Sequence, residues 1–241
     1  MKDKILIFII TYKASYRVKN VVQKIPFRYF RNKNFKIYIS DDDSRDDTIN
    51  YIRKIKKKYK SKVIVNFIKK NVGYGANIKK CLNYAYKNKF SHAVMIHGDN
   101  QYNPKYIIKM LDNLLKDNKT AAAVGSRMTK KTNALKGKMP LYKFIGNIFL
   151  TGLFNLLHRT KFTDCHTGYW AYNLKLIKGN TFKNLDDTFC FDIDLRLQLV
   201  SEGKYIKEIP IETFYGTERS SVHLIYALRF FLKTIIFKLF N

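Results

Sequence analysis

The chain has 241 residues, 46% hydrophobic and 15% aromatic, which supplies one well-filled core and suits one large domain better than two. Lys and Arg number 46 against 18 Asp and Glu, a net charge of +28 that seeks polyanions: nucleic acid, anionic lipid headgroups or phosphorylated substrates. Cys81, Cys165 and Cys190 are odd in number, widely spaced and form no Cys-x-x-Cys pair, which suggests neither a disulfide framework nor a zinc site and fits a reducing compartment.

Residues 5–10 read as a buried first strand, and the run is too short and lacks the cleavage site of a signal peptide. A helix follows over about 15–25, a second strand over 35–40, and a helix over 46–59 with Ile49, Ile52 and Ile55 on one side. The third strand covers 63–68, a helix 76–87, the fourth strand 93–96 and a short fifth strand 121–124; Pro104 opens the helix between the last two. Strands alternating with helices predict an α/β fold with a mostly parallel, doubly wound sheet. Ligands bind such sheets beyond the carboxyl ends of the strands, and there the polar clusters fall: Thr11-Tyr12, Asp41-Asp42, residues 71–75 and residues 97–101.

Asp41-Asp42-Asp43-Ser44-Arg45-Asp46-Asp47-Thr48 concentrates carboxylates on a basic protein. Asp46 and Asp47 suit a helix N-terminus as caps, whereas Asp41 and Asp42 follow a strand directly and can accept hydrogen bonds from a base and a ribose. Asn71-Val72-Gly73-Tyr74-Gly75 turns from strand to helix, with glycines that let backbone approach a ligand closely. In His97-Gly98-Asp99-Asn100-Gln101, Asp99 and Gln101 offer hard oxygens for a divalent cation on a diphosphate. His97 reads equally as a nitrogen ligand, better suited to Mn2+ than to Mg2+, or as a hydrogen-bonded spacer.

Ile9-Ile10-Thr11-Tyr12, the 41–48 cluster, Asn71-Val72-Gly73-Tyr74-Gly75, Gly98-Asp99-Asn100-Gln101, Gly125-Ser126-Arg127 and Thr163-Asp164-Cys165-His166-Thr167-Gly168-Tyr169 occur in this order. Over roughly residues 4–221 the chain thereby resembles family 2 glycosyltransferases, in particular the dolichol-phosphate mannose synthase-like and bacterial polyprenyl-phosphate branch. The resemblance implies a GT-A fold over 1–221, a UDP- or GDP-sugar donor, and Mn2+ or Mg2+. By the same resemblance Asp41 and Asp42 hold the nucleoside beside Thr11, Tyr12, Asn71, Gly73 and Gly75. Asp99 and Gln101 hold the metal, Arg127 neutralises a phosphate, Asp164 lies near the sugar, and Arg219 and Ser220 sit in an acceptor loop. Glu208-Ile209-Pro210-Ile211 resembles the strand that closes the sheet. Three departures stand out: His97 replaces the first Asp of the usual Asp-x-Asp, Lys13-Ala14 replaces the usual Asn-Glu, and Trp170, read here as a core or rim aromatic, replaces a common arginine.

A phosphate acceptor is already anionic near neutral pH and needs no strong base; a hydroxyl acceptor would need one, such as Asp164 or Asp194. Residues 144–157 and 222–240 are apolar, yet neither reaches the roughly 18 uninterrupted residues of a membrane span. The first reads equally as a core or a lipid-contacting helix. Residues 222–241, with Arg229 and Lys233 on one face, read as a basic amphipathic helix on an anionic membrane. The expectation is an inverting, peripheral transferase at the cytoplasmic membrane face, acting on a polyprenyl phosphate and relying on a separate membrane protein partner. Three rivals stand beside it: a transferase to a glycan hydroxyl, a catalytically silent scaffold motivated by His97, and a nucleic-acid binder. The last lacks any recognisable nucleic-acid motif, so no nucleic-acid partner is expected.

Overall fold

The computed structural model describes residues 3–215 and 224–240. Seven strands form one sheet in the order β3-β2-β1-β4-β6-β5-β7. They are β1 Lys4–Thr11, β2 Asn34–Asp42, β3 Val63–Ile68, β4 His92–His97, β5 Thr120–Ser126, β6 Trp170–Asn173 and β7 Tyr205–Pro210. The helices are α1 Arg17–Gln23, α2 Thr48–Tyr59, α3 Tyr74–Lys87, α4 Tyr106–Lys116, α5 Lys131–Lys136, α6 Leu141–His158, α7 Phe191–Ser201 and α8 Leu224–Phe240. All five strands expected in the first half are present. β7, which contains Glu208, lies parallel to β5 at the sheet edge, as the resemblance implied. β6 runs antiparallel to both β4 and β5, a departure from simple parallel order that the alternating pattern did not signal.

β1 is apolar along nearly its whole length because it is central and covered on both faces. Ile5, Ile7 and Ile9 point into one apolar layer with Val18, Ile52 and Leu111; Leu6, Phe8 and Ile10 point into the other with Ile78, Leu82 and Leu195. This period-two division puts α1, α2 and α4 on one side of the sheet and α3 and α7 on the other. A third cluster, with Phe154, Cys165, Ile193, Leu197 and Phe230, joins α6, α7 and α8. The three cysteines are buried and unpaired. Of the two expected caps, Asp46 accepts the Thr48 N–H at 3.1 Å, whereas Asp47 makes no cap bond.

α6 inverts the usual amphipathic rule. Its buried residues are Asn147, Thr151 and Phe154, while Leu141, Tyr142, Ile145, Phe149 and Leu156 are exposed, Leu156 at 77%. The core reading of this segment is thereby corrected: its apolar side faces out. α8 likewise exposes Ile225, Leu228, Leu232, Ile236 and Leu239, and Phe149 stacks on Phe231 where the two helices meet. Arg229 and Lys233 do share one face of α8, but that face turns inward onto Asp186 and Asp194. The expected outward basic stripe is therefore corrected, because both cations are held by half-buried carboxylates. Among the described residues, no helix is long and apolar enough to cross a membrane.

Candidate active site

The carboxyl ends of β1, β2 and β4 bring the expected nucleoside residues together. Asp41 is buried and accepts bonds from Thr11 Oγ1 at 2.8 Å, Ser44 Oγ at 2.7 Å and the Ser44 N–H at 2.9 Å. Its carboxylate braces the turn through these three bonds, and Oδ2 accepts only one of them. Asp42 accepts the Val72 and Gly73 N–H groups at 2.8 and 3.0 Å, and its carbonyl accepts Asn71 Nδ2. Burial nevertheless pushes the Asp42 carboxyl above its ordinary value. Each Asp42 oxygen keeps a lone pair for a further donor. Tyr12, directly after β1, is 51% exposed, with Lys13 Nζ 5.1 Å over its ring.

The glycines let the chain's own backbone approach closely. A Cβ on Gly73, whose φ is +94°, would lie 2.9 Å from the Asp187 carbonyl oxygen, and one on Gly75 would lie 2.3 Å from that of Asp186. The neighbour that comes close is the chain's own 186–187 backbone, fixed by Ala76 N–H donating to Asp187 O at 3.1 Å. The turn is thus clamped from behind while its Asp42-bonded side faces the sheet crevice.

At the end of β4, the His97 ring lies between Tyr74 and Tyr102, with centroids 5.5 and 5.1 Å away, and against Gly168. Tyr74 Oη donates to Asp192 Oδ2 at 2.8 Å and lies 3.3 Å from His97 Nε2. In the tautomer in which Nε2 donates to Tyr74 Oη, Nδ1 keeps its lone pair. That lone pair faces Asp99 Oδ2 at 4.0 Å. Burial lowers the His97 pKa against the opposing pull of Asp99, so the ring is neutral near pH 7. Two acceptors facing one another without a proton between them suit a cation. Asp99 Oδ1 accepts the Gln101 N–H at 2.9 Å, which fixes the loop and leaves Gln101 beside the pair. Among the described residues no three His, Cys, Asp or Glu side chains converge, so a cation here draws its remaining ligands from elsewhere.

Arg127 and Asp164, expected at a phosphate and near the sugar, are paired with each other. Nε and Nη2 of Arg127 donate to Asp164 at 2.7 and 2.8 Å, Nη2 also to His166 O, and Nη1 to Tyr215 Oη. One of the five guanidinium N–H bonds is left over. Asp164 is fully buried and also accepts Asn147 Nδ2 of α6. Burial alone would raise its pKa, but the Arg127 charge and these donors hold it far below the usual carboxylate range. Asp164 therefore anchors Arg127, which keeps one N–H for a further acceptor. Arg219 and Ser220 lie outside the described residues. Trp170 is a core residue, as read from the sequence, with the Arg196 guanidinium 5.1 Å over its ring.

Residues 6–179 match the sequence profile of the family described as Glycosyl transferase family 2. The chain belongs to that family. It is 29% identical over 231 residues to the UDP-N-acetylglucosamine--dolichyl-phosphate N-acetylglucosaminyltransferase of Methanococcus voltae, with 89% of this chain and 88% of the relative covered. Among solved structures, glucosyl-3-phosphoglycerate synthase of Mycobacterium tuberculosis, in a complex with Mn2+, UDP and glucosyl-3-phosphoglycerate, superposes with a TM-score of 0.66 at 12% identity, covering 98% of this chain and 80% of that one. The same enzyme with phosphoglyceric acid gives 0.68 at 12% identity and the same coverage. The fold is GT-A, and the protein is a glycosyltransferase.

Two residues beside these clusters escaped the sequence reading. Asp192, at the start of α7, is buried, and its Oδ1 has no partner among the described residues. Burial pushes its carboxyl up to about 7, against the hydrogen bond from Tyr74. Asp194, the base considered from sequence, instead accepts Lys233 Nζ and the Asp186 N–H. Two residues along a helix are about 200° apart, so only one of the pair can face the site. Lys143 of α6 is the second: it is half-buried, 5.8 Å over the Tyr215 ring, and burial and the Arg127 charge lower its pKa.

Proposed function

We propose that this transferase moves a hexose from a UDP- or GDP-linked donor to a polyprenyl phosphate at a membrane surface. The observation that carries the reading is the outward apolar layer of α6 and α8, tied to the site by Asn147 of α6 donating to Asp164 at 2.8 Å. A lipid-borne acceptor resting on that layer delivers its phosphate beside Lys143 and the remaining Arg127 N–H. The name of the Methanococcus relative, a dolichyl-phosphate transferase, supports the same acceptor class. Exposed Lys130, Lys131, Lys136 and Lys138 around α5 border the layer and favour an anionic, cytoplasmic lipid face. A membrane protein partner can share this surface.

The donor nucleoside lies over Thr11, Tyr12 and Asp42, with Asn71 and Gly73 closing its far side. His97 Nδ1, Asp99 and Gln101 would hold Mn2+ or Mg2+, a reading that the Mn2+ and UDP complex of the Mycobacterium enzyme supports. The cation, when bound, supplies Lewis-acid stabilisation of the departing nucleoside diphosphate. The chain's own residues orient and shield. Tyr74 and Tyr102 fix the His97 ring, Asp164 holds Arg127 in place, and Lys143 neutralises acceptor phosphate as it approaches the anomeric carbon. The acceptor oxygen attacks from the side opposite the diphosphate, inverting the anomeric centre, with no proton to remove.

A second reading, transfer to a glycan hydroxyl, has one observation in its favour: Asp192, with a pKa near 7 and an unpartnered oxygen, is suited to a base. Incubating the protein with Mn2+, radiolabelled UDP- or GDP-sugars and short-chain polyprenyl phosphate separates the two. Metal-dependent label in the organic phase is expected. Label that stays aqueous despite donor binding would move the acceptor to a hydroxyl, and retained anomeric configuration would overturn single displacement.

A further inference from the structure

The inward face of α8 ends on the segment that backs the donor turn. Arg229 Nη2 lies 2.7 Å from Asp186 Oδ2, and Nη1 donates to Thr188 Oγ1 at 3.2 Å. Lys233 Nζ lies 2.9 Å from Asp194 Oδ2 and 3.4 Å from Asp186 Oδ2. Asp194 Oδ2 also accepts the Asp186 N–H at 3.0 Å, so the two carboxylates are drawn together and their repulsion is offset by two cations from α8. The same segment meets the donor turn at three points. Asp187 O accepts the Ala76 N–H, the 186 and 187 carbonyls fill the space that only Gly75 and Gly73 leave, and Phe189 stacks on Tyr74 at 5.0 Å. Phe189 also meets Tyr226 of α8 edge-on at 5.1 Å. Tyr74 in turn holds His97 and Asp192. A continuous set of contacts therefore runs from α8 to the wall of the crevice.

We propose that Arg229 and Lys233 are positioning residues for the donor subsite: by neutralising Asp186 and Asp194 they press the 185–190 segment against the Gly73–Gly75 turn and set its fit to the nucleoside diphosphate. The proposal rests on the reading of that turn as the donor site. Neither cation touches the donor; both act through the acidic segment. It also explains why an apolar-faced helix spends its two central cations inward, away from any lipid phosphate.

The test uses the full chain and its R229Q, K233Q, R229Q/K233Q and R229K variants, titrated calorimetrically with UDP and with GDP in the presence of Mn2+. The double variant should weaken nucleotide binding by about ten-fold or more, and raise the donor KM while the acceptor KM stays within about two-fold. R229K, which retains a cation within reach of Asp186, should recover most of the affinity. Amide hydrogen exchange at 73–76 and 186–189 should quicken in the double variant without nucleotide, a local effect that a general loss of stability does not produce. If the double variant melts at the assay temperature, the single variants carry the test with half-sized effects in the same direction. A folded double variant with wild-type nucleotide affinity overturns the proposal alone. A wild-type protein that binds neither UDP nor GDP overturns the donor-site reading and the proposal with it.

Discussion

Asp192 places a carboxyl where burial disfavours charge. Its carboxyl titrates near 7 in the folded protein because it is buried, whereas in the unfolded chain it titrates near the ordinary value of 3.8. Between those values the native state holds a proton that the unfolded state has released, so stability from this group is present at low pH and is lost as pH rises through about 7. Asp192→Asn removes the loss. Its melting temperature should gain on wild type between pH 5 and pH 8, by on the order of 5 °C, measured by circular dichroism. The same variant reports on chemistry. With a phosphate acceptor, kcat should fall by less than about ten-fold, whereas a hydroxyl acceptor deprotonated by Asp192 predicts a loss of about a hundred-fold or more. Sequence reading named Asp164 or Asp194 as the base for a hydroxyl acceptor and passed over Asp192, because nothing in Phe191-Asp192-Ile193-Asp194 says which carboxylate faces in. For Arg127 and Asp164 the types and positions were legible, and their partnership across 37 residues was not. A carboxylate and a guanidinium that both seem aimed at substrate can instead satisfy each other, and burial decides which.

Glycines show at the scale of elements how context sets the sign of one substitution. Within a helix, Gly→Ala ordinarily gains about 0.5–1 kcal/mol. Gly146 and Gly152 on α6 have nothing within 4 Å of an added Cβ, so G146A and G152A should each raise the melting temperature by about 2 °C. Gly75 opens α3 in the same helical backbone, yet its added Cβ would lie 2.3 Å from the Asp186 carbonyl, a backbone atom that cannot swing aside. G75A should therefore cost about 1–3 kcal/mol despite its better helix propensity, and should weaken UDP binding through the displaced 186–187 segment. Equal melting temperatures for G75A and G146A would count against this packing account. Long apolar or periodic elements such as β1 and α4 were legible because one face or both must be buried. The four-residue β6 was not, since its antiparallel insertion between β4 and β5 is set by the return of the chain after α6 and leaves no local pattern. α6 was ambiguous for a related reason: its polar row, Asn147 and Thr151, turns inward, so polarity does not mark the side that faces away from the protein.

The whole molecule combines a net charge of +28 with an uncovered apolar layer, and each term predicts a different dependence. Attraction between surface lysines and anionic headgroups falls with ionic strength, because the Debye length shrinks from about 8 Å at 0.15 M salt to about 3 Å at 1 M. Burial of Ile145, Phe149, Leu228 and Leu232 in the acyl boundary does not weaken with salt. Vesicles with about one-third anionic lipid should therefore capture the protein at 0.15 M salt, and raising salt to 0.5 M should weaken capture without abolishing it. I145D/F149D or L228D/L232D should lose binding even at low salt, while retaining UDP affinity, because these side chains point away from the crevice. Arg229 and Lys233 should matter little to capture, since their charges are already met by Asp186 and Asp194. Capture that disappeared entirely in 0.5 M salt, and survived I145D/F149D, would mean that charge alone brings the enzyme to the lipid. The outward side of α6 would then have no role in presenting the acceptor to Lys143.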